Sequence, residues 1–300
     1  MDAGSNPYED DPHYHGHRKT LLEYLSIATD YLSIPVCLTA ILTDIVLICF
    51  ILKYKRLKQR QNYYLLNFAL FHFIYIVSTP CLHIVMDIFY SSELDMNWYC
   101  AWLRVENFGI FLLLTFIAGF PIDAYIEIRS FRFFKNYERG YFLIFIFFYV
   151  FAAILYSAAA SVCFKQGFRN NFNFYLVTVY YLVMLVGIFY TSTQIRYKHS
   201  TEVNLHYTVN VAMSVLLCWL PLFICYSLIN IFKDVHNVEI VLWYLAFLPE
   251  YIAYCSSIVM VWQLCKRNKY FRVAFRRLFR RPVDESDYTE LIAGENALMK

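Results

Sequence analysis

Charge is what this 300-residue chain has least of: Asp, Glu, Lys and Arg make up 16% of it, against 60% hydrophobic residues. That balance excludes an ordinary soluble domain, whose surface needs a larger charged share. Three stretches, 141–163, 174–195 and 208–232, hold no charged residue and no histidine. Each is long enough to cross a hydrocarbon core of about 30 Å at about 1.5 Å per residue. There is no Asn-x-Ser/Thr sequon. The first 28 residues lack the apolar core of a signal peptide, so the first long apolar run is expected to act as the insertion signal. No internal repeat of the kind common in transporters is visible. No nucleophile–base pairing or metal-ligand spacing falls within a helix, which argues against an enzyme and against a metal site.

What is present is a series of spans. Four further apolar runs, Ser33–Leu52, Asn62–Met86, Tyr99–Ile126 and Glu239–Leu264, contain only a few polar residues. The seven runs predict an all-α, seven-transmembrane helix bundle over 29–265, preceded by an N-terminal tail, 1–28. Residues 266–281 follow as an amphipathic helix: Phe271, Ala274, Phe275, Leu278 and Phe279 form one stripe flanked by arginines. Such a helix lies on a membrane surface. A tail, 282–300, ends the chain.

Basic residues set the expected orientation. Lys53, Lys55, Arg56, Lys58 and Arg60 follow the first span, Arg129, Arg132, Lys135 and Arg139 the third, and Arg196 and Lys198 the fifth. The segment after the seventh is also rich in arginine. These loops belong in the cytoplasm, which puts the N-terminus outside, the C-terminus inside and the amphipathic helix on the inner leaflet. A multi-pass plasma-membrane protein is expected. The net charge of +3 points to no nucleic acid, because the basic loops face anionic lipid.

Asp44 in the first span and His72 in the second are 28 residues apart, which brings them to similar depth on antiparallel neighbours. Ionisable groups at that depth are costly unless paired, so a buried Asp44–His72 pair is expected. In the sixth span, Cys218-Trp219-Leu220-Pro221 sets a bulky ring two residues before a helix-bending proline.

These residues carry a resemblance. The run Asn62-Tyr63-Tyr64-Leu65-Leu66-Asn67-Phe68-Ala69-Leu70-Phe71-His72 resembles the second helix of rhodopsin-like (class A) G-protein-coupled receptors, with His72 at the place of the family's sodium-binding aspartate. Asp44 stands where the family has an asparagine. Cys218-Trp219-Leu220-Pro221 resembles the family's switch in helix six, and Asp123-Ala124-Tyr125 its Asp-Arg-Tyr, without the arginine. Met260-Val261-Trp262-Gln263-Leu264 stands in place of Asn-Pro-x-x-Tyr. A divergent receptor of that type is implied, with Trp219, Pro221, Asp123 and Tyr125 as its switch.

The resemblance also implies a Cys100–Cys163 bridge and an outer ligand site of Glu106, Trp219, Glu250 and Tyr254. Two carboxylates over aromatic faces suit a cationic small molecule or basic peptide. The implied partners are that extracellular ligand, a heterotrimeric G protein and membrane lipid. The seventh span has no lysine for a retinal Schiff base, and no cofactor is expected. A decoy or scavenger receptor that binds without signalling stays open, as does a proton-coupled transporter using Asp44, His72 and Glu250. Two short signals remain: Tyr8 among acids, a candidate for sulfation, and Asp287-Tyr288-Thr289-Glu290-Leu291-Ile292, which fits acidic-dileucine and Tyr-x-x-Leu sorting patterns.

Overall fold

The computed structural model describes residues 21–89, 96–129, 140–166, 172–197, 203–233 and 235–293. The described residues contain helices and no strand. In chain order the helices are α1 (Leu21–Lys53), α2 (Asn62–Phe89), α3 (Met96–Arg129), α4 (Gly140–Gln166), α5 (Phe172–Tyr197) and α6 (Val203–Ile231), then α7 (His236–Leu245), α8 (Phe247–Tyr254), α9 (Ser256–Arg267), α10 (Lys269–Leu278) and α11 (Glu285–Ala293). At about 1.5 Å per residue, the 33 residues of α1 run about 50 Å, more than a bilayer core requires.

Among the described residues, five segments are long and apolar enough to cross a membrane: Tyr31–Lys53, Phe108–Tyr125, Tyr175–Gln194, His206–Ile231 and Ile240–Arg267. The last runs through α7, α8 and α9. In α4 the described apolar stretch is Ile144–Ala158. With α2 these make the seven-helix membrane bundle. No strand could satisfy its backbone in lipid without closing a barrel, whereas each helix satisfies its own.

The centre of the bundle is α3, which packs against α2, α4, α5 and α6. Its segment Phe108–Tyr125 is 78% buried, against 17% for Tyr175–Gln194 of α5. Leu112, Leu113, Leu114, Phe116, Ile117 and Phe120 are almost entirely enclosed, so α3 is apolar all round because it has neighbours all round. The approach of α2 is close at Gly119, where an added Cβ would meet the Tyr64 ring at 2.6 Å. By contrast, α5 presents Val179, Val183, Val186, Phe189 and Tyr190 outward, as a lipid-facing helix would.

Short connections do the positioning. A 3-10 turn, Lys55–Leu57, links α1 to α2, and the Asn62 side-chain amide closes it by donating to the Leu57 carbonyl at 2.9 Å. The seventh span is interrupted at Ala246 because Pro249 has no N–H to offer the Leu245 carbonyl. It is interrupted again at Cys255. In α10, Asn268 caps the first turn, its side chain accepting from the Tyr270 N–H at 2.9 Å. Of the stripe expected over 266–281, Phe271 and Ala274 are buried together with Val273, Phe275 is half-buried, and Leu278 and Phe279 are exposed beside Arg272 and Arg276; the helix itself has ten residues. Arg272 turns back to donate to the Cys265 and Lys266 carbonyls at the end of α9. The segment after it, expected only as a tail, contains α11, which packs on α10 and on the 3-10 turn.

Candidate functional site

Beneath the middle of the bundle a chain of polar side chains crosses four helices. On α2, His72 Nδ1 lies 2.7 Å from Asp44 Oδ2 on α1, and both side chains are fully enclosed. The other ring nitrogen of His72 is 3.2 Å from Ser256 Oγ on α9. That same oxygen accepts from the Trp219 Nε1–H on α6, also at 3.2 Å. A hydroxyl has one proton to give. With the Trp219 N–H received, Ser256 gives its own proton to His72 Nε2, which leaves Nδ1–H to donate to the Asp44 carboxylate. This tautomer uses every group in the chain. The Ser257 hydroxyl lies beside Asp44 as well, although neither it nor Asp44 Oδ1 closes a hydrogen bond.

Rings fix the orientation of these groups. Phe68 stacks on the His72 imidazole, with centroids 5.4 Å apart and planes 14° from parallel. Trp219 is fully buried and meets Tyr75 at 5.3 Å, and Tyr75 meets Tyr254 at 5.9 Å. Trp219 and Tyr254 therefore share one aromatic cluster through Tyr75. Around Pro221 the support comes from α5. Tyr181 stacks on Phe223 at 4.3 Å and donates its hydroxyl to the Leu216 carbonyl at 2.8 Å, next to the Leu217 carbonyl that Pro221 leaves without its helical donor.

Further along the seventh span, the Tyr226 hydroxyl of α6 donates to Glu250 Oε1 at 2.6 Å. Glu250 sits in the first turn of α8, where the backbone N–H groups favour an anion. Glu250 and Tyr254 stand one turn apart on the same short helix. The side chains of Glu106, Cys100 and Cys163, and all of Tyr8, lie outside the described residues.

At the other end of α3 the structure supplies a partner that sequence reasoning missed. Asp123, whose side chain is 4% exposed, receives Arg60 from the α1–α2 connection: Nε at 3.1 Å and the terminal nitrogen at 3.0 Å, both on Oδ2. Ala124 offers no charge to the neighbouring acid. Asp123 instead has an arginine, delivered from 63 residues earlier. Only the cluster of five basic residues between Lys53 and Arg60 hinted at it, and no spacing singles out Arg60. Tyr125 is half-buried against the core.

Fold and site together define an all-helical membrane bundle whose polar groups converge on a tryptophan beside a proline. No protein-family model matches the chain. The human Neuromedin-K receptor is 23% identical over 280 residues, covering 80% of this chain and 59% of the receptor. The Cavia porcellus Neuromedin-K receptor is also 23% identical over 280 residues, covering 80% of this chain and 62% of that receptor. The chain thus spans about three-fifths of the length of the curated relatives it matches.

Proposed function

We propose that this chain is a cell-surface receptor of the G-protein-coupled type that binds an extracellular cationic small molecule or peptide. The observation that carries the reading is the link from Trp219 to Ser256, His72 and Asp44, which ties α6 to α9, α2 and α1 through one buried polar chain. A displacement of α8 or α9 by a ligand changes the hydrogen bond that fixes the indole, and the indole sits two residues before Pro221. The likeness to two Neuromedin-K receptors supports the same reading and favours a peptide. In this reading the N-terminus is outside, the C-terminus is cytoplasmic, and Glu250 faces the ligand side with Tyr254 and Trp219 below it.

Glu250 is the charged contact for the ligand's cationic group. It already holds one neutral donor, the Tyr226 hydroxyl, and a carboxylate can accept several. Glu106 is assigned to the same site, and Cys100–Cys163 to the bridge at its rim. Asp123 and Tyr125, with Trp219 and Pro221, are assigned to the switch. Ala124 favours a second version, a receptor that binds and internalises without coupling.

The experiment is activation of heterotrimeric G proteins in transfected cells challenged with basic peptides and amines, read beside direct binding. A hit whose affinity falls in Glu250→Gln by about 1.5–3 kcal/mol supports the proposed contact. Binding without activation selects the decoy version. A hit of undiminished affinity in Glu250→Gln removes the acid from the site.

A further inference from the structure

The segment after α10 carries a pattern that the receptor reading does not use, and the structure shows it folded away. Asp287-Tyr288-Thr289-Glu290-Leu291-Ile292 places an acid four residues before a pair of branched aliphatic side chains. A partner that reads such a peptide takes it extended, with both aliphatic side chains in pockets and the acid on a basic rim. In the structure these residues form most of α11. Leu291 is fully buried in the main core while Ile292 is 45% exposed, so the helix parts the pair. Asp287 lies 3.7 Å from Lys269 Nζ.

The clamp is made by α10 and the 3-10 turn. Glu290 accepts from Lys269 Nζ at 2.9 Å and from the Tyr270 hydroxyl, and Arg56 lies 4.0 Å away. The Arg277 guanidinium covers the Tyr288 ring at 4.6 Å. The Tyr270 hydroxyl bond, with Lys269 beside it, holds the Glu290 carboxyl below its usual range.

We infer that residues 287–292 are a docking peptide for a cytosolic coat adaptor, one with a two-pocket apolar groove beside basic residues, and that α11 is its sequestered form. The inference rests on the cytoplasmic placement of the C-terminus proposed above. Adaptor engagement requires α11 to leave the clamp and unfold, so the contacts of Glu290 set the rate of uptake from the surface.

The test uses the full chain in cells, tagged at its N-terminus and labelled at the surface, with uptake followed at matched surface levels. Glu290→Lys opposes Lys269 and Arg56 yet leaves Asp287, Leu291 and Ile292 in place. Uptake is expected to rise severalfold, and Leu291→Ala with Ile292→Ala in that background to return it to the natural rate or below. Adding Lys269→Glu to Glu290→Lys restores one opposite-charge contact and is expected to lower uptake again. An unchanged rate in Glu290→Lys overturns the proposal, as does a raised rate that survives loss of Leu291 and Ile292. Dependence on Tyr288 in place of Ile292 overturns the assignment of the reader. The measurement needs neither ligand nor G protein, so failure of the receptor reading leaves it standing.

Discussion

Replacing Arg60 with alanine tests whether the α1–α2 connection restrains α3. The carboxylate it contacts is 4% exposed and the guanidinium 25%, so the pair lies between two known regimes. Exposed pairs contribute about 0.2–1 kcal/mol, and breaking a fully buried pair costs about 3–5 kcal/mol. Two short N–H contacts to one charged oxygen, partly open to water, place the expected loss at about 1.5–3 kcal/mol. At about 2–3 °C per kcal/mol the apparent melting temperature of the detergent-purified protein should fall by about 3–9 °C. Asp123→Asn removes the charge while leaving Arg60 free to turn toward water, and should cost less. The double variant should then be more stable than the sum of the singles implies, by about 1 kcal/mol or more. Strict additivity of the two singles would refute the reasoning, because it would mean that the pair contributes no coupling.

The Asp44–His72 pair has both side chains fully enclosed, so His72→Asp, which sets two carboxylates face to face, should cut the yield of folded protein sharply. Asp44→Asn added to it should recover much of that yield, as measured by monodisperse protein after size exclusion. Gly119→Ala pushes a methyl to within 2.6 Å of the Tyr64 ring and should destabilise by about 1–3 kcal/mol in thermal unfolding, with a smaller cost in a Tyr64→Ala background. The α11 clamp has a defined pH window. The carboxyl of Glu290 is held low, so its contribution is complete above the ordinary glutamate value of about 4.3 and is lost as pH falls through the depressed value. Lys269 is held high, chiefly by its hydrogen bond to Glu290, so its contribution is complete below about 10.4 and is lost as pH rises through the elevated value. Hydrogen-exchange protection of 285–293, relative to the intrinsic rate at each pH, should therefore be level across the neutral range, and weaker at both extremes and in high salt.

The spans were legible because lipid imposes a simple rule: a run of about twenty residues without charge has few alternatives to a spanning helix. The interval between Asp44 and His72 placed both at one depth, since a short turn between antiparallel helices fixes their register. Other features left no such mark. Arg60 reaches Asp123 across 63 residues of chain, and the basic run around it reads equally well as lipid contact. Ser256 was visible as a polar residue, but its role as the junction between His72 and Trp219 depends on which way α9 turns after Cys255. Leu291 looked like part of a tail because nothing local predicts burial. Its partners come from the 3-10 turn and α10, which only the folded chain brings beside it.

The doubly interrupted seventh span has a mechanical consequence. A continuous helix resists bending and twisting because every turn is tied to the next. Where the regular bonding lapses for one residue, fewer ties hold the two turns and the helix gives there first. Between Ala246 and Cys255, α8 is eight residues long, with Glu250 at its middle and Ser256 just past its end, and the Glu250 N–H to Ala246 carbonyl and Val259 N–H to Cys255 carbonyl bonds still tie it to its neighbours. Under the proposed receptor reading, a shift of α8 along its own axis moves Ser256 and with it the hydrogen bond that holds the Trp219 indole.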